Sequence, residues 1–225
     1  MLMAVATAAV LRGGGTADTT SSWGPPPRAQ QEWVSILEEL TVIAARPNPG
    51  GYDRSCSTGR LCVFGPAWSD DVDVAGGRDG CDTRNGQLAR DLTAVQTKPG
   101  THGCVVVTGT LRDPYTGQVV VFTKAQASAV DIDHVVPLAA AWDLGAWQWT
   151  SQRRQNFAND PRNLLTVTAA VNRAKGDRTP GQWSPPTDAG RCLYAQRYVV
   201  VAAAYGLPVT IQDKDQLRVG LQRCA

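Results

Sequence analysis

Glutamate is almost missing from this chain. The 225 residues hold three, Glu32, Glu38 and Glu39, all before residue 40. Lysine is scarce too, and arginine carries most of the positive charge. No apolar run is long enough to cross a bilayer as a helix, so no membrane partner is expected. No CxxC pair occurs, which argues against a zinc ribbon or finger. No long low-complexity linker follows Pro49, so residues 29–225 are expected to form a single domain.

What is present reads as globular: 43% hydrophobic and 19% charged residues. The net charge of +2 is unremarkable, but from Asn172 onward eight Lys/Arg stand against four Asp. Such a basic quarter is compatible with a polyanion partner. Arginine also suits bidentate phosphate contacts, although genome base composition gives the same bias.

The six cysteines are Cys56, Cys62, Cys81, Cys104, Cys192 and Cys224. An even count suggests three disulfides, with about fifteen connectivities open. Sequential pairing (56–62, 81–104, 192–224) is preferred because it closes short local loops. Disulfides imply an oxidising compartment, hence a secreted protein. Six buried free thiols in a cytosolic protein are the competing reading. Residues 1–28 begin apolar and Ala-rich, lack a basic segment ahead of the apolar one, and turn Gly/Thr/Ser/Pro-rich. They read as a degenerate signal leader and a linker.

Periodicity predicts a helix over 30–45, with Trp33, Ile36, Leu37 and Leu40 on one face, ended by Pro47 to Gly51. Residues 52–85 read as an irregular loop region pinned by a disulfide. Asp70, Asp71 and Asp73 within it can be a calcium loop, but lack an EF-hand spacing. A short helix is expected over 87–95. The β-branched runs 104–110 and 118–122 flank Asp113-Pro114-Tyr115-Thr116-Gly117 and predict a hairpin. Two helices are expected in the tail, 192–205 and from Thr210 or Gln212 to Gln222, joined by Cys192–Cys224. His102 lies in a Gly/Pro-rich loop and reads as an ordinary surface histidine.

The chemistry concentrates between Asp131 and Asp177. Residues 130–136 (VDIDHVV) alternate like a strand, 163–167 (NLLTV) form a second, and Thr168 can cap a helix from Ala169 to Lys175 with Gly176 as its terminator. The insert 138–160 reads as largely helical. Cleaving a phosphodiester needs a base for water and a cation for the phosphate charge. Neutral His134 suits the first role, and Asp or Asn oxygens suit a magnesium ion. On a regular strand Asp133 and His134 face opposite sides, so the strand must end or bend there, with Asn172 brought close to Asp133.

Asp133-His134, Asn163 and Asn172-x-x-Lys175-Gly176-Asp177 resemble the HNH nucleases with a ββα-metal (His-Me) finger. The longer string, with Phe157-Ala158-Asn159-Asp160-Pro161-x-Asn163-Leu164-Leu165, resembles the secreted HNH endonucleases related to the GmrSD C-terminal domain. Gly80 to Asn85 and the Gly109–Gly117 hairpin also have counterparts there, so the likeness runs from about Tyr52 to Cys224. It implies an α+β fold: a ββα-metal finger, about 130–177, in a mainly helical, disulfide-stapled frame with a small β-hairpin. It implies His134 as general base, Asp133 and Asn172 as metal ligands, and Asn163 tying the finger's loop and orienting His134. The third HNH position is Asn rather than His, which bears on metal preference.

Around this core Arg84, Arg153, Arg154 and Lys175 are candidates for holding phosphate. A solvated or structural role competes for each. Trp142, Trp147 and Trp149 are core residues or base-stacking platforms. The expected activity is a secreted HNH endonuclease acting on DNA, with RNA as a wider substrate. Its cofactor is a divalent cation, with Mg2+ ahead of Mn2+ or another ion. The alternative is an inactive secreted nucleic-acid-binding module of the same fold. A monomer is expected, and a toxin or effector version would require an inhibitor protein as partner.

Overall fold

The computed structural model describes residues 29–224. The leader and linker expected over 1–28 lie outside the described residues. Helix α1 (Gln30–Glu39) buries Trp33 and Leu37. It is shorter than the periodicity suggests. Thr41, Val42 and Ile43 are β-branched and favour extended backbone. Strand β1 (Val42–Ile43) leaves the helix and pairs in parallel with the tail strand β7 (Val209–Thr210).

The loop region 52–82 contains no helix or strand. Its Asp cluster is tied by bonds within its own loop, with Asp71 and Asp73 exposed. Asp70 accepts from the backbone N–H groups of Asp79 and Gly80, and Arg78 bridges Asp71 and Asp73. Helix α2 (Thr83–Asp91) begins four residues before the expected 87–95 helix. The Asp82 carboxylate accepts the Asn85 N–H and so caps it there. The residues expected to complete that helix instead form strand β2 (Thr93–Thr97) on the edge of a three-stranded antiparallel sheet. The other two strands, β3 (Val106–Arg112) and β4 (Val119–Thr123), are the hairpin expected from the turn chemistry.

The ββα unit follows. Strands β5 (Val130–His134) and β6 (Leu164–Thr168) pair antiparallel, with His134 opposite Leu164 and Asp133 opposite Leu165. Between them lie α3 (Leu138–Asp143), a single 3-10 turn and α4 (Ser151–Asn159), capped by Thr150. Helix α5 (Ala169–Lys175) crosses the pair and stops at Gly176, whose φ of 59° favours glycine. The tail helices α6 (Asp188–Tyr205) and α7 (Ile211–Leu221) pack together. A Cβ on Gly220 would sit 2.8 Å from the Ala195 Cβ, so only glycine permits that approach.

The β5–β6 pair separates two cores. Val130, Ile132 and Leu164 face α2 and the three-stranded sheet. Leu165 and Val167 face the larger core built from α1, α3, α4 and α6. Period-2 alternation puts Asp131 and Asp133 together on the opposite face of β5 from Val130 and Ile132. All three disulfides are formed as the sequential pairing predicts: Cys56–Cys62, Cys81–Cys104 and Cys192–Cys224. The fold class is α+β, with the finger inside a stapled, mainly helical frame.

Candidate functional site

His134 is the last residue of β5, where the ladder ends. Its ring Nε2 lies 2.8 Å from the Ala158 carbonyl oxygen at the C-terminal end of α4. A carbonyl only accepts, so Nε2 carries the proton and Nδ1 keeps the basic lone pair. The ring is stacked nearly parallel on Trp68, with 6.0 Å between centroids and 12° between planes. Burial pushes the imidazole pKa down to about 3, helped by the charges of Arg54 and Lys175 and opposed by the Ala158 bond. His134 is therefore neutral throughout the physiological range.

Asp133 faces the other way. Its Oδ1 accepts from Lys175 Nζ at 2.8 Å and its Oδ2 from the Tyr115 hydroxyl at 2.8 Å. Burial, with Asp133 beside it, holds the Tyr115 phenol well above its ordinary pKa, so it stays a donor. Lys175 also donates to the His134 backbone carbonyl at 2.7 Å. One turn earlier on α5, Asn172 Nδ2 donates to Asp131 Oδ2 at 3.1 Å. Helix α5 and strand β5 are thus linked by two rungs, Asn172–Asp131 and Lys175–Asp133. Spacing of three on the helix matches spacing of two on the strand.

Asn163 closes the loop that follows His134. Its Oδ1 accepts the Val136 N–H, its Nδ2 donates to the Val136 carbonyl, and its own carbonyl accepts the Val135 N–H. It holds the backbone at the end of β5, and no hydrogen bond joins it to the imidazole among the described residues.

An open cavity of about 310 Å³ brings the pieces together. Asp133, His134, Asn172, Arg54, Arg173 and Asp177 are among its lining residues. Asn172 meets Asp131 rather than Asp133, but Asp133 and Asn172 share this cavity. A carboxylate has about four lone-pair sites. Lys175 and Tyr115 take one each on Asp133, and the remainder can still accept a cation. The Oδ1 of Asn172 makes no hydrogen bond among the described residues. Also among the described residues, no group of three His, Cys, Asp or Glu converges as a metal site. The donor set is instead carboxylate and amide oxygen. That set fits a hard cation which keeps waters and takes phosphate oxygens as ligands.

Three of the arginine candidates are elsewhere. Arg84 donates to the Ala127 and Val130 carbonyls, fastening the segment that leads into β5. Arg153 donates to the Tyr205 carbonyl and lies over Trp149. Arg154 is spent on the carbonyls of Val63, Ala146 and Trp149. Each guanidinium is engaged with main-chain carbonyl oxygens of the surrounding segments. Lys175 is fully buried behind Asp133 and is not a substrate contact. Trp142 is buried and donates to the Gly50 carbonyl, while Trp149 packs on Phe157 and Tyr205. Trp147 is exposed and, like the other two, is not part of the cavity.

Residues that sequence reasoning passed over take their places. Arg54 and Arg173 are exposed, form no ion pair among the described residues and line the cavity. Tyr115, at the hairpin tip, reaches Asp133, and Trp68 covers His134. Asp131 carried a local signal, the Asp-x-Asp-His spacing. Arg173 had one too, next to Asn172 on a helix end. Trp68, Arg54 and Tyr115 had none, because loops far apart in sequence deliver them.

Comparison with known proteins agrees with this geometry. The family model for the C-terminal domain of GmrSD restriction endonucleases matches residues 82–219. An uncharacterized secreted protein of Arthroderma benhamiae is 43% identical over 192 residues, covering 84% of this chain and 83% of its own length.

Proposed function

The chain belongs to the family of GmrSD restriction endonuclease C-terminal domains, and on that premise we propose that it is an HNH endonuclease hydrolysing phosphodiester bonds in DNA, with RNA as a wider substrate. The protein is secreted, in keeping with its three disulfides and its secreted relative. No helix among the described residues is long and apolar enough to cross a membrane. We take residues 29–225 as one nuclease unit.

One observation carries the reading. His134 has its Nε2 committed to the Ala158 carbonyl, which leaves the Nδ1 lone pair free, and it lines the cavity together with Asp133 and Asn172. In the proposed reaction Nδ1 takes the proton of a water as that water attacks phosphorus, and the 3′ oxygen leaves. Ala158 stabilises the imidazolium so formed through the Nε2–H bond. Arg54 and Arg173 offset the phosphate charge from the cavity wall. Asp133 and Asn172, with Asp131 alongside, would hold a divalent cation, magnesium by donor chemistry. Such a cation neutralises charge on the phosphate and the departing oxygen. Lys175 and Tyr115 fix the Asp133 carboxylate, and Asn163 fixes the backbone that aims His134.

The test is a panel of plasmid, single-stranded DNA and RNA against magnesium, manganese and other cations, using oxidised protein. Expected is metal-dependent cutting that EDTA stops and that His134→Ala abolishes with the fold intact. Cutting by His134→Ala at the wild-type rate removes His134 from its role. Salt-sensitive binding with no nicking under any cation favours the inactive binding module.

A further inference from the structure

A second pocket of about 400 Å³ lies across Trp68 from the site. Its floor is apolar and buried: Leu88 and Val106, together with Phe122. Lys124 on its rim is exposed and forms no ion pair among the described residues. Arg84 adds positive charge there while holding its two carbonyls. Asp82 shares the rim, but its oxygens are taken by the Asn85 N–H and side-chain amide. A narrow cleft of about 30 Å³ leads between the two cavities. It shares Arg54 and His134 with the first and Trp68 with the second.

Trp68 is built into this position against local preference. Its φ is 58°, a left-handed conformation that a bulky residue seldom adopts. The Thr83 N–H donates to the Trp68 carbonyl, the Thr83 hydroxyl to the Ser69 carbonyl, and Gln155 Nε2 to the Ser69 hydroxyl. Strain held by that many neighbours marks segments with a task. Trp68 is partly buried against the smaller core, yet it is also stacked on the imidazole and shared by two openings.

We propose that this second pocket takes an unpaired nucleobase of the substrate strand, so that the substrate class is single-stranded or locally unwound nucleic acid. The proposal rests on the nuclease reading and deepens it. The chemistry matches the occupant. A base offers a flat apolar face to Leu88, Phe122 and Trp68, while Lys124 meets the adjoining phosphate. A base stacked and paired in a duplex cannot enter such a pocket without leaving the stack. Continuity matches as well, because the strand would run from His134 past Arg54 and Trp68 into the pocket.

Binding measured without cutting tests this separately from catalysis. The anisotropy of a short labelled oligonucleotide, single-stranded or annealed into a perfect duplex, is followed with His134→Ala protein in magnesium. Expected is a preference of about tenfold or more for the single strand. Adding Ala127→Trp, which fills the pocket, or Lys124→Glu, which reverses its exposed charge, should weaken single-strand binding about fivefold or more. Lys124 is exposed, so that variant decides the matter if Ala127→Trp does not fold. Duplex bound as tightly as single strand, or unchanged affinity in Lys124→Glu, overturns the proposal. If wild type cuts while these variants bind normally, the pocket assignment fails and the nuclease reading stands. If the predicted binding losses occur but wild type never cuts, the reverse holds.

Discussion

Lys175 Nζ lies 2.8 Å from Asp133 Oδ1, and both side chains are buried almost completely. The pair joins the last turn of α5 to the end of β5, next to the histidine that the finger presents. A buried ion pair adds little over a well-packed apolar pair, but losing one partner leaves a stranded charge. Lys175→Met should therefore cost about 3–5 kcal/mol of stability. Lys175→Met combined with Asp133→Asn should recover a large part of it. Urea unfolding of the three proteins gives the comparison. A single variant within about 1 kcal/mol of wild type would mean the pair is not isolated from water as described.

The histidine makes stability pH-dependent with a definite sign. Its folded pKa of about 3 lies below the unfolded value of 6.5. Between those values the unfolded chain binds the proton and the folded chain does not. Protons therefore favour unfolding, and stability falls as pH drops from about 6.5 towards 3. In His134→Gln this contribution is gone. Denaturant midpoints at pH 7 and pH 4 should differ less in the variant than in wild type, by a few kcal/mol at most. Parallel pH profiles would contradict the buried, neutral imidazole.

Arginines in the cavity and arginines behind it should behave oppositely. Arg54→Ala and Arg173→Ala are expected to leave the melting temperature close to wild type. Each should weaken nucleic-acid binding and lower the slope of log affinity against log salt by about 1. Arg153→Ala and Arg154→Ala strand two or more backbone carbonyls between them and should lower stability by about 1–3 kcal/mol each. Binding per folded molecule should be unchanged. Salt titrations and thermal melts on the four variants separate the groups. A salt-slope loss in Arg154→Ala would return it to the substrate path.

Removing cation donors should show first in the metal requirement. Asn172→Ala is expected to raise the magnesium concentration for half-maximal cutting, on the order of tenfold, with activity recovering in excess metal. Asn163→Ala should instead lower the maximal rate at any metal concentration, because it loosens the backbone that aims His134. Metal titrations of cutting rate distinguish the two, and an unchanged titration for Asn172→Ala would take that residue out of the donor set.

Cys192–Cys224 bridges α6 to the chain just beyond α7, closing a separation of 32 residues. Replacing both cysteines by serine should cost roughly 3–4 kcal/mol, from the loop entropy restored to the unfolded chain. Thermal melts of oxidised protein check it. Neither cysteine lines the cavity, so cutting well below the melting temperature should persist.

Helix α5 shows how much was legible. Its boundaries, Ala169 to Lys175, agree with the sequence reading, as do the antiparallel strands and the disulfide pairing. These depend on local matters: β-branched alternation, a terminating glycine and short loops between cysteines; Thr168 stands at the N-cap of α5 but its side chain makes no capping bond. Asp133, His134 and Asn172 of the Asp-His-Asn-Asn pattern line one cavity for the same reason, since the finger is nearly contiguous in the chain. Where local signals misled, a distant partner was responsible. Helix α1 ends early because Val42 and Ile43 pair with Val209 and Thr210, and the expected helix to Val95 ends early because β2 pairs with β3.

The walls of the site were settled only by the tertiary structure. Arg84, Arg153 and Arg154 look like phosphate ligands in the sequence, yet each turns to backbone carbonyls that only the folded loops present. Lys175 looks like a surface lysine and becomes a buried counter-ion once α5 is laid across β5. Arg54 and Trp68 come from the loop region 52–82 and Tyr115 from the hairpin tip, and they meet the finger across separations of 18 to 80 residues. The residue types and order in the finger determine which side chains share its cavity, because they belong to one local unit. The packing of distant loops decides which charges and rings surround it, because such contacts leave no periodic trace in the chain.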